Sequence, residues 1–88
     1  MSNFRVLIAA EVVDTLSKLR KQEREALRLR FEAIAETPAR FSDYQEKDDV
    51  GRDVDVHLFG KHAILFWHDF NDRHLKILDL MPADGLIS

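Results

Sequence analysis

The chain has 88 residues and a net charge of −3, and 45% of its residues are hydrophobic and 33% charged, which is typical of one soluble domain spanning residues 1–88. It has no cysteine, no apolar run near the ~20 residues that cross a bilayer and no secretory signal, so we expect a cytoplasmic protein without disulfides, thiolate metal sites or a membrane segment. Residues 42–88 carry five basic and ten acidic side chains, which opposes binding to a phosphate backbone.

The first part of the chain predicts a strand and two helices. Residues 4–9, FRVLIA, form a short apolar run whose length favours a strand. Residues 10–37 lack Gly and Pro and are rich in helix formers. A single helix of that length would run ~40 Å, longer than the ~30 Å expected for so small a domain. We therefore predict a helical hairpin that breaks in RKQERE, residues 20–25, and ends before Pro38.

The rest of the chain predicts a loop followed by three strands. Residues 39–51 show no period and collect Ser, Asp, Lys and Gly, so they predict a loop, which Phe41 and Tyr44 anchor to the core. Strand patterns follow at DVDVHLF, HAILFWHD and HLKILDL. The order β-α-α-β-β-β predicts an α+β fold in which the helical hairpin packs on a small, mostly antiparallel sheet.

The hairpin made by the first two of these strands has two alternative registers. DVDVHLF alternates, so its valines and Leu58 face away from Asp55 and His57. A two-residue turn of type II′ at Gly-Lys pairs Leu58 with Ala63 and places Trp67 on one all-apolar core face. A three-residue loop or a bulge instead places Trp67 with His57 on the open face of the sheet. We favour the core position for Trp67.

Three segments carry a resemblance to a known family. FRVLIAAEVVDTLSKL is similar to the opening strand and first helix of the RelE/ParE toxin superfamily, LRLRFEAIAETP to its second helix and proline stop, and HAILFWHDFNDRHLKILDL to its central hairpin. The resemblance covers nearly the whole chain and implies a RelE/ParE-like fold. It also implies the toxin of a type II toxin–antitoxin module, neutralised by a cognate antitoxin. RelE-like members cut mRNA in the ribosome, whereas ParE-like members poison DNA gyrase.

The resemblance implies that an RNA-cutting member carries cations on the open sheet face, where they stabilise charge on the scissile phosphate. The matching positions here are Asp55, His57, Ala63 and the C-terminal MPADGLIS, and three of the four have lost their cation. A carboxylate ~4 Å from the phosphate costs about 4 kcal/mol at an effective dielectric near 20, or roughly a thousandfold in rate. We therefore predict a toxin that binds its target, either gyrase or a divergent one. The alternatives are a ribosome-dependent mRNA endonuclease that uses His57 and a degenerate, non-toxic interaction module.

The candidate site residues follow from these hypotheses. His57 is the candidate general base and Asp55 the carboxylate that orients it, and Arg52 or Lys61 would contact the phosphate in the endonuclease alternative. The candidates for partner binding are Phe59, Trp67, Arg52 and Lys61. The four histidines lack a metal-helix spacing, and no cofactor motif is present, so we predict neither metal nor cofactor. The expected partner is an antitoxin segment on the open sheet face or on the helical hairpin.

Overall fold

The computed structural model describes residues 4–86 and has the predicted α+β architecture. Two helices pack on one face of a five-stranded sheet. The elements are β1 (Arg5–Ile8), α1 (Ala10–Ser17), α2 (Lys21–Glu36), β2 (Tyr44–Lys47), β3 (Asp53–Phe59), β4 (His62–Asp69) and β5 (His74–Pro82), with 3-10 turns at Pro38–Phe41 and Ala83–Leu86. The domain prediction for residues 1–88 and the end of the MPADGLIS segment extend beyond the described residues.

The helical hairpin forms as the sequence predicts. α1 ends at Ser17 and α2 begins at Lys21, so the break falls at the start of the polar segment rather than within it. α2 ends at Glu36 because Pro38 excludes the α conformation from the residue before it. The apolar stripes of both helices are buried against the sheet. Neither helix of the described chain is long and apolar enough to cross a membrane.

The sheet has the strand order β1-β5-β4-β3-β2, and β1 runs parallel to β5 while the other pairs are antiparallel. The prediction that residues 39–51 are all loop is wrong, because Tyr44–Lys47 pairs with β3 as an edge strand. A short, polar edge strand has no apolar alternation that would mark it in a sequence. Phe41 packs on the core as expected, but Tyr44 is 39% exposed, so its predicted anchoring is wrong.

The two-residue turn between β3 and β4 has the predicted register. Leu58 pairs with Ala63, and of the two turn residues only Gly60 has a positive φ, at 59°, as a type II′ turn requires. The helices, however, cover the opposite face of the sheet, where Ile64 and Phe66 belong to the same buried cluster as Phe31 of α2. The prediction that Trp67 belongs to the helix-covered core is therefore wrong. β4 is apolar on both faces, so its pattern did not reveal which face the helices cover.

Candidate functional site

The uncovered side of the sheet, which we call the open face, is apolar at its centre. Its central residues come from alternate positions of β3 and β4: Val54, Val56, Leu58, Ala63, Leu65 and Trp67. Neighbouring side chains shield Val54, Val56 and Ala63 from solvent, whereas Leu58 is 40% exposed. Trp67 is half-buried between two cations, with Arg52 at 5.0 Å and Lys76 at 4.9 Å from its ring centroid. The open face therefore presents an aromatic side chain in an apolar surface, which suits contact with another polypeptide.

A cleft of about 330 Å³ lies at the Arg52 end of the open face. Its floor is apolar and its rim mostly acidic; the floor is Val54, Leu65 and Leu78, and the rim is Glu46, Lys47, Asp48, Asp49, Arg52 and Asp79. Arg52 is already paired with a carboxylate, because its Nε donates to Asp48 Oδ2 at 2.9 Å. This carboxylate also accepts the backbone N–H of Arg52 at 2.8 Å and that of Val50 at 3.0 Å. These contacts, the Arg52 amide foremost, hold the pKa of Asp48 below its ordinary value.

Asp55 lies on the helix-covered side of β3, in a polar cluster at the β2 edge. Its side chain is 4% exposed, and Oδ1 accepts hydrogen bonds from Ser42 Oγ at 2.6 Å and Gln45 Nε2 at 3.0 Å. The other carboxylate oxygen lies 3.4 Å from His68 Nε2. Every polar contact of Asp55 therefore ties β3 to β2, to the segment before it, or to β4, as expected of a structural carboxylate.

His57 belongs to the same cluster and pairs with Asp43. Nδ1 of His57 lies 3.1 Å from Asp43 Oδ2, which also accepts the backbone N–H of Leu58 at 2.8 Å. An ionised carboxylate only accepts hydrogen bonds, so Nδ1 donates to Asp43 and a general base at this position would have to use Nε2. Nε2, however, is buried without a partner, and Phe41 and Phe59 contact the ring. No substrate hydroxyl can reach this atom in this conformation.

The structure does not bring the catalytic candidates together as predicted. Asp55 and His57 lie on the helix-covered side, so the expectation that they occupy the open face is wrong, and each pairs with a different residue. Arg30 lies over the two aromatic rings beside His57, 5.3 Å from the centroid of Phe41 and 4.4 Å from that of Phe59. Arg52 and Lys61 flank opposite ends of β3, ~20 Å apart at 3.3 Å per residue, so they cannot contact one phosphate.

Among the partner-binding candidates, only Arg52 and Trp67 lie together. Phe59 packs on the helix-covered core, while Lys61 is in the turn between β3 and β4. The sequence analysis missed four polar residues of the edge cluster: Ser42, Asp43, Gln45 and His68. The first three belong to the segment that was predicted to be a loop, and their role depends on the pairing of β2 with β3. The signal that could have found them is Asp55, since a carboxylate in a strand facing the helices needs nearby donors.

Comparison with known proteins identifies the fold. No family model matches the chain, and neither does any curated protein. Among solved structures, a chain of the archaeal RelE–RelB complex from Pyrococcus horikoshii OT3 aligns with a TM-score of 0.75 at 22% identity, covering 91% of this chain and 94% of that one. A chain of the toxin–antitoxin complex RelBE2 from Mycobacterium tuberculosis aligns with a TM-score of 0.71 at 15% identity, covering 91% and 98%. The predicted RelE/ParE-like fold is confirmed.

Proposed function

We propose that this chain is the cytoplasmic toxin of a type II toxin–antitoxin pair and that it inhibits its target by binding rather than by cutting RNA. The toxin assignment rests on the fold shared with chains of two toxin–antitoxin complexes. The binding mode rests on one observation, the half-buried Trp67 on the same face of the sheet as an apolar cluster. The proposed target is DNA gyrase or another large cellular protein.

Binding is favoured because the open face has the composition of a protein interface. Aromatic and arginine side chains in an apolar surface dominate the free energy of many interfaces. Trp67 supplies a large flat surface, and the two cations that contact its ring reduce its freedom to reorient. A partner that covers Trp67 and Leu58 would remove apolar area from water at roughly 25 cal/mol per Å².

RNA cleavage is disfavoured because the candidate base lies on the opposite side of the sheet from Arg52 and Lys76, the cations beside Trp67 on the open face. In-line attack on a phosphodiester requires a base at the 2′-hydroxyl and cations around the phosphorane. The candidate base, His57, lies on the other side of the sheet with Nε2 buried. On the open face the cleft rim is mostly acidic, and Arg52 is already paired with Asp48. The four carboxylates of the rim would oppose the binding of a phosphate there.

The proposed antitoxin covers the open face with an extended or helical segment that places apolar side chains over Trp67 and Leu58. This arrangement explains how one partner could neutralise the chain, since target and antitoxin would compete for the same surface. Truncating a central aromatic anchor typically costs 2–4 kcal/mol, so Trp67→Ala should weaken the complex by roughly 30- to 1,000-fold.

Inducible expression with and without the product of the neighbouring gene tests the proposal. We expect growth arrest from the chain alone, relief on co-expression, and a complex that co-purifies. Trp67→Ala should reduce both arrest and complex formation while keeping the circular dichroism of the folded chain. The matched control is Val50→Ala, which removes apolar area from an 84%-exposed turn residue outside the central open face. Absence of both toxicity and a complex would count against the toxin assignment.

An assay with purified ribosomes and a defined mRNA separates binding from cleavage. The proposal predicts no site-specific cleavage by the wild-type chain. Cleavage that is abolished by His57→Ala would instead establish the endonuclease alternative. A chain that neither cleaves mRNA nor arrests growth, but still binds a partner tightly, would be the degenerate interaction module.

A further inference from the structure

The outer side of α2 carries an exposed leucine that the fold does not use. Leu27, Phe31 and Ile34 turn toward the sheet, and Leu29, on the opposite side of the helix, is 70% exposed. Leu29 borders two shallow depressions, one of about 300 Å³ and one of about 630 Å³. The larger depression is also lined by Ala26, whose small side chain allows a second helix to approach closely.

Four charged residues alternate in sign along one flank of Leu29. They lie four, three and four positions apart, which places them in one row on a helix, and they are Lys21, Glu25, Arg28 and Glu32. All four are exposed. Within residues 4–86 none of them takes part in an ion pair. The row is therefore available for charged groups outside the chain.

We infer that this surface binds a second copy of the chain, with the two α2 helices antiparallel. In an antiparallel pair related by a two-fold axis, residue numbers rise along one helix in the direction in which they fall along the other. When Glu25 of one copy faces Arg28 of the second copy, Lys21 falls opposite Glu32. The two-fold axis repeats both contacts, so all eight charges of the two rows meet a charge of opposite sign.

The same register gives each exposed leucine a place to pack. With Glu25 opposite Arg28, Leu29 of each copy enters the larger depression of the other, beside its Gln22 and Ala26. The contact is limited to one helix of 16 residues, about 24 Å at 1.5 Å per residue. Such an interface belongs to the small, weak class. We therefore expect roughly micromolar to millimolar association that weakens as salt is added.

The dimer leaves the open face free. α2 packs on one side of the sheet and turns its outer side away from it, so the two surfaces lie on opposite sides of the molecule. The inference therefore does not depend on the proposed function, and an antitoxin could occupy the open face of each copy. A failed dimer test would leave the toxin assignment unchanged, and a failed toxicity test would leave the dimer unchanged.

Sedimentation velocity of the full chain across a wide concentration range, at low and high salt, tests the dimer. We expect the sedimentation coefficient to rise with concentration and the rise to shrink in high salt. Leu29→Asp should weaken association by at least about thirtyfold. The matched control, Val50→Asp, adds the same charge at an 84%-exposed turn residue and should leave association unchanged. A monomeric wild-type chain at every concentration, or a dimer unaffected by Leu29→Asp, would overturn the inference.

Charge exchange and cross-linking test the antiparallel register. Arg28→Glu and Glu25→Arg should each weaken the dimer about tenfold, and the double variant should restore it, because both contacts reform with reversed signs. The chain has no cysteine, so one introduced cysteine reports one site. Ala26→Cys lies near the two-fold axis and should form a disulfide dimer under mild oxidation, whereas Glu36→Cys, at the far end of α2, should not. Cross-linking of Glu36→Cys in preference to Ala26→Cys would exclude this arrangement.

Discussion

Removing the Asp55 carboxylate distinguishes a structural role from the catalytic one that the sequence suggests. The side chain is 4% exposed and accepts hydrogen bonds from Ser42 at 2.6 Å and Gln45 at 3.0 Å. A hydrogen bond to a charged group contributes about 1.5–3 kcal/mol, and Asp55→Ala leaves both donors unpaired. We expect the free energy of unfolding to fall by about 2–4 kcal/mol, a large share of the roughly 4–13 kcal/mol typical of a domain this size.

Urea unfolding followed by circular dichroism measures this loss. With a slope of ~1–2 kcal/mol per molar urea, the midpoint should fall by roughly 2 M. The control is Asp53→Ala, which lies on the same strand and face but pairs with Lys47 at a side-chain exposure of 57%. An exposed ion pair contributes at most ~1 kcal/mol. Equal losses for the two variants would refute the assignment of Asp55 as a structural carboxylate.

Three further predictions follow from the packing, the turn and the acidic cleft. Phe31→Ala should cost about 3–5 kcal/mol in urea unfolding, because this 1%-exposed ring joins α2 to the sheet. Gly60→Ala should lower the free energy of unfolding by about 1 kcal/mol, because alanine is strained at the φ of 59°. The added Cβ meets no atom within 4 Å, so the backbone strain is the whole effect. The Asp48 carboxyl should titrate by NMR below the ordinary aspartate pKa. The contribution of the Asp48 carboxylate to the free energy of unfolding, measured against Asp48→Asn, should be complete above the ordinary aspartate pKa. It should vanish as the pH falls through the lower pKa that this carboxyl has in the folded chain.

Helix boundaries and the β3–β4 register could be predicted because each depends on local chemistry. Pro38 stops α2, and Gly60 supplies the positive φ of a two-residue turn. β2 could not be predicted, since YQEK has neither apolar alternation nor β-branched residues. It is a strand because β3 offers it an unpaired edge. That pairing is tertiary information, which a pattern within one segment does not contain.

The site was harder to predict than the fold because the role of a residue on β3 depends on whether the helices cover its side of the sheet. The register that pairs Leu58 with Ala63 fixes which residues share a face, but not which face the helices take. The helices cover the face that carries Phe66 and Ile64. His57 and Asp55 consequently lie in a polar cluster at the edge of the helix-covered face, and their partners come from residues 42–45 and β4.

β4 is apolar on both faces, which supports the proposed partner independently of the comparison with solved structures. Strands that are hydrophobic on both sides usually lie in sheets covered on both sides. Here Phe66 meets the helices, while Leu65 and Trp67 face away from them. Neighbouring strand residues shield part of that second face, yet Leu58 remains 40% exposed. A polypeptide bound as we propose would cover Trp67 and Leu58 and remove their apolar area from water.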